Sequence, residues 1–167
     1  DHIYTQGTSS SNNEIVNNNF KIPILKTNRG GKTTYHGPGQ RIVYLLINLN
    51  KRKKDIKKFT SIIESSTIKL LKKYSIEAKS YKSRVGIWVI KSKKFDNKRE
   101  EKIGAIGLRI KKWVTYHGLS FNINPDLKYY KNIHACGLKN YCSTSLSELK
   151  IDISTKEFDE TFKKIFI

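Results

Sequence analysis

The chain has 167 residues, 37% hydrophobic and 28% charged, with a formal net charge of +19, enough for one domain with its own core. No run of eighteen apolar residues occurs, so no transmembrane helix is expected, and two cysteines, Cys136 and Cys142, make no disulfide framework. His2, His36, His117 and His134 show neither an HExxH pattern nor ligand-pair spacing, so no metal site is expected.

The sign of the charge invites a nucleic-acid reading. Arginine, the residue suited to bidentate contacts with bases and phosphates, stands only at Arg29, Arg41, Arg52, Arg84, Arg99 and Arg109, the other cations being lysine. With Asn and Ile also abundant, this is the composition expected of an AT-rich coding sequence. Most of the lysines are expected to be solvated, and the use open to them is steering toward an acidic protein.

The first residues, DHIYTQGTSSSNNEIV, have no basic region followed by an apolar one, so no signal peptide is expected. They read as entering mid-fold. The expected unit is a single cytoplasmic domain over residues 1–167 that lacks an N-terminal piece. Lys21 to Thr27 reads as a short strand and Arg29-Gly30-Gly31 as a turn. Arg41 to Asn50 (RIVYLLINLN) reads as a buried strand, and Lys51 to Lys54 as a solvated cationic segment. From Asp55 to Tyr74 the apolar positions Ile56, Phe59, Ile62, Ile63, Thr67, Leu70, Leu71 and Tyr74 recur at threes and fours, which predicts a helix with one buried face. Strands are predicted over Val85 to Lys91, Lys102 to Ile110 and Val114 to Asn124, with a polar hairpin loop over Ser92 to Glu101. Pro125 and Asp126 close the last of these strands and start a short helical turn. Ser143 to Leu149 reads as a short helix. Ser154 and Glu157 form a capping box ahead of a helix from Thr155 to near Phe166. The order predicts an α+β domain, a mixed sheet flanked by helices.

Three segments are rich in Gly and polar residues while lying between apolar strands: RGGKTTYHGPGQ from Arg29, KIGAIG from Lys102, and the stretch after Thr115. Gly at strand ends lets backbone N–H groups approach a carbonyl or oxyanion. Thr34-Tyr35-His36-Gly37 is echoed by Thr115-Tyr116-His117-Gly118, either by chance or because two polar strand ends face one pocket.

Taken in order, RGGKTTYHGPGQ, KIGAIGLRI, VTYHGLSFNINPDL and HACG resemble the lipoyl(octanoyl) transferase family, from about Asp1 to Leu146. The resemblance implies the fold of the biotin and lipoate ligase catalytic domains. It also implies transfer of octanoyl from acyl carrier protein to a lysine of lipoyl domains, such as those of 2-oxoacid dehydrogenase or glycine cleavage proteins, without ATP or another cofactor. Carried over by motif, the nucleophile falls on Cys136 and its partner on Lys102. The substrate-binding stretches fall on Arg29, Gly30, Gly31, Lys32, Thr33, Thr34, Tyr35 and His36, on Ala105, Ile106 and Gly107, and on His117, Gly118 and Leu119. Ala135 departs from the Pro that often precedes the family's Cys, which removes a stiff approach to the nucleophile. Relative to the family, the sequence resembles a truncation that removes an early strand and helix.

The chemistry suits these residue types. A thiolate attacks a thioester in a near-balanced exchange, and a free thiol is only a few per cent ionised at neutral pH. A nearby ammonium favours the thiolate, and the same lysine, once neutral, can take the proton of the acceptor amine. Two other readings stand beside this one. An ATP-dependent lipoate or biotin-protein ligase would share the fold and need no Cys. A basic nucleic-acid-binding module would rest on charge alone and bind with a steep salt dependence.

Overall fold

The computed structural model describes residues 1–17, 19, 21–91, 100–134 and 141–167. Strands β1 (Ile3–Gln6), β2 (Ile24–Lys26), β3 (Thr34–His36) and β4 (Gln40–Tyr44) lead to helix α1 (Ile56–Lys73). Strands β5 (Glu77–Tyr81), β6 (Arg84–Lys91), β7 (Glu101–Lys111), β8 (Val114–Asn122) and β9 (Cys142–Ser143) precede helix α2 (Thr155–Phe166). The small sheet runs β2-β1-β3, with β1 parallel to β2 and antiparallel to β3. The large sheet runs β4-β8-β7-β6-β5 through antiparallel pairs, and β9 pairs parallel with the start of β7. The α+β arrangement of mixed sheets flanked by helices is therefore the one that forms.

Both predicted long helices are present, and their caps explain their limits. The Asp55 side chain accepts the Lys58 N–H at 2.9 Å and starts α1. The Ser154 hydroxyl accepts the Glu157 N–H at 3.1 Å and starts α2. The Glu157 carboxylate accepts the Tyr74 hydroxyl at 2.9 Å, which ties the start of α2 to the end of α1. The buried stripe of α1 is Phe59, Ile63, Ser66, Thr67, Leu70 and Leu71. Ile56 and Ile62 fall off that stripe and are exposed, although the apolar spacing had placed them on the buried face.

Two predicted elements are corrected. The stretch from Arg41 is not one long buried strand: β4 stops at Tyr44, and Tyr44 and Leu46 are exposed while Leu45 and Leu49 are buried. Asn48 turns the chain by accepting the Asn50 N–H at 2.9 Å, the local competition with the backbone that Asn side chains offer. Ser143 to Leu149 is not a helix. The N–H groups of Thr144, Leu146 and Ser147 donate to the carbonyls of Lys102, Asn122 and Ile123 and so are taken by strand ends before a helical ladder can use them. The strands β1, β3 and β5 were not foreseen. Of the predicted hairpin loop, residues 92–99 lie outside the described residues.

The main core lies between the large sheet and the two helices. Ile87 and Val89 of β6, Ile103 of β7, and Leu119 and Phe121 of β8 meet Ile63, Leu70 and Leu71 of α1 and Phe158 and Phe162 of α2. A second cluster, Tyr4, Ile22, Tyr35 and Ile133, fills the small sheet. Among the described residues no helix is long and apolar enough to cross a membrane. Phe158 is fully buried, its ring 4.8 Å from that of Phe121 and 5.9 Å from that of Phe162. Phe158→Ala is expected to cost about 3–5 kcal/mol, read as a lower urea midpoint at unchanged m.

Candidate active site

The floor of the site follows from strand register. Ile42, Ser120 and Ala105 form one cross-strand row, and Tyr44, Gly118 and Gly107 the next. Leu119 between these rows and Phe121 beyond Ser120 enter the helix-side core, so the small residues of β7 and β8 leave a depression on the other side. A Cβ at Gly118 would fall 2.1 Å from the Val43 carbonyl oxygen, so this position admits only glycine at this strand spacing. A cavity of about 450 Å³ opens over the floor, within the range of small-molecule sites.

The loop before β3 forms the wall. The Gly30 N–H donates to the Leu108 carbonyl at 3.1 Å, beyond Ile87–Gly104, where the β6–β7 pairing ends. A Cβ at Gly30 would meet that same carbonyl at 2.5 Å, so glycine lets the loop lie on the strand. The Arg29 guanidinium holds the loop to β1, donating to the Thr5 carbonyl at 2.7 Å and the Thr5 hydroxyl at 2.8 Å. Arg29, Lys32 and Arg84 give the cavity a cationic rim, while Ile42, Val85 and Ala105 give it an apolar interior.

His36 also lines the cavity. Burial pushes its pKa down to about 4; the bond between Nδ1 and Gln40 Oε1 at 3.2 Å works the other way, and the nearby Arg29 charge lowers it further. The imidazole is therefore neutral at neutral pH. Gln40 continues inward, its Nε2 donating to Asn122 Oδ1 at 2.9 Å and to the Tyr130 hydroxyl at 2.7 Å. Asn122 donates to the Thr144 carbonyl at 2.9 Å. This buried network joins the small sheet to β8 and to the segment that follows β9.

Lys102 is buried at the start of β7. Its Nζ donates to the Val85 carbonyl at 2.8 Å and lies 5.3 Å from the Trp88 ring centroid. Room for it comes from Gly86, where a Cβ would meet Lys102 Cε at 2.4 Å and Nζ at 2.8 Å, at a φ of 135°. A crevice lined by Thr34, Lys102, Ala105, Asn122, Tyr130 and Ser143 adjoins the large cavity through Thr34 and Ala105.

Cys136 lies outside the described residues. The chain on either side of 135–140 is anchored near Lys102 and the small sheet. His134 N–H donates to the Glu14 carbonyl at 2.7 Å, and Ile133 bridges Ile15. Downstream, Tyr141 packs edge-on to Trp88 at 4.9 Å, and Ser143 pairs with Lys102.

Of the other sequence-predicted residues, Arg29, Gly31, Lys32, Thr34, His36, Ala105, Ile106, Gly107, His117, Gly118 and Leu119 line the cavity, and Gly30 seats the wall. Thr33 and Tyr35 are fully buried away from it. Tyr35 Oη pairs with His2 Nδ1 at 2.7 Å, and its ring stacks on Tyr129 at 5.2 Å. The Thr-Tyr-His-Gly echo brings His36 and His117 to one cavity, while Tyr35 is buried and Tyr116 exposed.

The sequence matches the lipoyl protein ligase A/B catalytic domain over residues 1–167. The chain belongs to that family. It is 47% identical over 165 residues to an octanoyltransferase of Wolbachia pipientis wMel, covering 98% of this chain and 77% of that protein. It is 43% identical over 170 residues to an octanoyltransferase of Rickettsia rickettsii, covering 98% and 79%. The fold is similar to a bipartite lipoate protein ligase from Thermoplasma acidophilum, with a TM-score of 0.69, 13% identity, and coverage of 99% of this chain and 66% of that one. A biotin protein ligase from Aquifex aeolicus aligns with a TM-score of 0.57, 15% identity, and coverage of 77% and 51%.

Within this family domain, sequence reasoning passed over Glu14, Gln40, Gly86, Arg84 and Asn122. Most of their partners are far away in the chain, so no local pattern marks their roles. Arg84 alone carried a signal, being one of few arginines; its guanidinium pairs with Glu100 and stacks over Tyr81, Trp88 and Tyr141 at 4.0, 4.5 and 4.6 Å.

The depressed His36 pKa sets a pH dependence. An unfolded imidazole binds a proton below about 6.5, and the folded one only below about 4, so stability present above the first value is lost as pH falls toward the second. His36→Asn removes this loss. Its stability is expected to fall less steeply than wild type between those two values, measured by urea unfolding at stepped pH.

Proposed function

We propose that this chain is an octanoyltransferase of protein lipoylation. It moves an octanoyl group from acyl carrier protein to a lipoyl-domain lysine through a thioester on Cys136, with Lys102 as proton carrier. The observation that carries this reading is the identity, across nearly the whole chain, to proteins named octanoyltransferase. The cavity supports it. An eight-carbon chain suits the apolar interior formed by Ile42, Val85 and Ala105, and a neutral His36 adds no buried charge to that interior.

In the first half-reaction Lys102 takes the thiol proton of Cys136. The thiolate attacks the octanoyl carbonyl, the carrier sulfur leaves, and that sulfur takes the proton back from the Lys102 ammonium. In the second half-reaction neutral Lys102 takes a proton from the acceptor ammonium. The free amine attacks the acyl-Cys carbonyl, Cys136 leaves as thiolate, and it collects the second amine proton as the amide forms. One proton passes to solvent per turnover. The burial of Lys102, its hold on Val85 and the anchoring of residues 133–134 and 141–143 suit such a pair.

Mixing the protein with octanoyl-acyl carrier protein, without ATP, is expected to give a single octanoyl adduct by intact mass, mapped to Cys136. Cys136→Ser and Lys102→Ala are expected to abolish turnover to a lipoyl domain. Gly86→Ala, which displaces the Lys102 side chain, should lower the single-turnover rate on the order of 100-fold. Full transfer by Cys136→Ser, or ligation of free lipoate that requires ATP, would sink this reading.

A further inference from the structure

Glu14 ends a short 3-10 turn, Asn12–Glu14, and its side chain is only 3% exposed. A buried carboxylate needs partners, and these are specific. Oε2 accepts the Thr33 backbone N–H at 2.7 Å, Oε1 accepts the Ser11 hydroxyl at 3.3 Å, and Lys32 Nζ stands 3.7 Å away. Burial opposes ionisation, but the bonds from Thr33 and Ser11 outweigh it and hold the carboxyl below its ordinary range. Thr33 and Lys32 belong to the loop whose Lys32 and Thr34 line the cavity.

The backbone of the same residue faces the other way. The Glu14 carbonyl accepts the His134 N–H at 2.7 Å, the Val16 N–H donates to the Asn132 carbonyl at 2.9 Å, and Ile15 bridges Ile133. One residue thus fastens the cavity wall with its side chain and the segment just before Ala135 with its main chain. The bonds join parts of the chain 19 and 120 residues apart (Thr33 and His134 from Glu14).

We infer that Glu14 is a positioning residue that sets the wall of the acyl cavity and the segment ending at His134 in register. The inference rests on the octanoyltransferase reading. Reach matters more than charge in this role. Glutamine keeps an oxygen for the Thr33 N–H, whereas aspartate keeps the charge but is one methylene too short.

The test compares Glu14→Gln, Glu14→Asp and Glu14→Ala in single-turnover acylation of Cys136 by octanoyl-acyl carrier protein. Active sites are counted from the amplitude of the adduct. Glu14→Gln is expected to react within about threefold of wild type, and Glu14→Asp about tenfold or more slowly per active site, with donor half-saturation changed less than the rate. Should Glu14→Ala fail to fold, the Gln and Asp pair still decides the matter. A purely structural role would lower the adduct amplitude and leave the rate per site unchanged, and that result overturns the inference. So does a Gln variant as slow as the Asp variant. Wild-type protein that forms no adduct at Cys136 instead sinks the octanoyltransferase reading, and this inference with it.

Discussion

Strand β7 is the constraint on which the site depends. Its start pairs with β6 and β9, its middle and end pair with β8, and the edge that β6 vacates takes the Gly30 N–H at Leu108. The strand therefore places Lys102 at one end of the site and the cavity wall at the other. Glycine permits both arrangements, at Gly86 beside the lysine and at Gly30 and Gly107 beneath the wall. Any added side chain at these three positions competes with a backbone atom or with Lys102 itself, so backbone proximity, more than side-chain chemistry, defines the cavity.

Charge is distributed with the same economy. In a chain with 33 cationic and 14 acidic residues, two acids are placed at the edges of the site. Glu100 neutralises Arg84 within a ring of aromatics, and Glu14 meets Lys32 while accepting a backbone N–H. Most of the remaining lysines are exposed and solvated, which costs little and contributes little. The useful electrostatics are local. A cationic rim stands over an apolar interior, and of the two histidines that line the cavity His36 is held neutral.

Much of the fold was legible because its long elements follow simple periods. Helices α1 and α2 announced themselves by spacing and by Asp55 and Ser154, and β6, β7 and β8 by apolar runs. The strands β1, β3 and β5 were not legible, being three to five residues long and, in β3, embedded in a Gly-rich run. That omission bears on the site. Once Thr34–His36 is a strand, period-two alternation places Thr34 and His36 on one face and Tyr35 on the other, as their burial and contacts show. The motif named all three together because a motif carries order and no face. Glu14 and Asn122 were invisible for a different reason: each gains its role from backbone groups supplied by distant segments.

The division between motif and fold also explains why Lys102 needs so much support. A lysine among many lysines has no chemical distinction of its own. Its surroundings provide one: a carbonyl acceptor at Val85, the face of Trp88, the gap left by Gly86 and a parallel strand at Ser143. Trp88 in turn packs against Tyr141, so the lysine and the chain downstream of residues 135–140 share one buried indole. In the proposed mechanism Lys102 serves two successive acyl acceptors and must hold one position through both half-reactions. Fixation by these backbone and aromatic contacts gives that constancy.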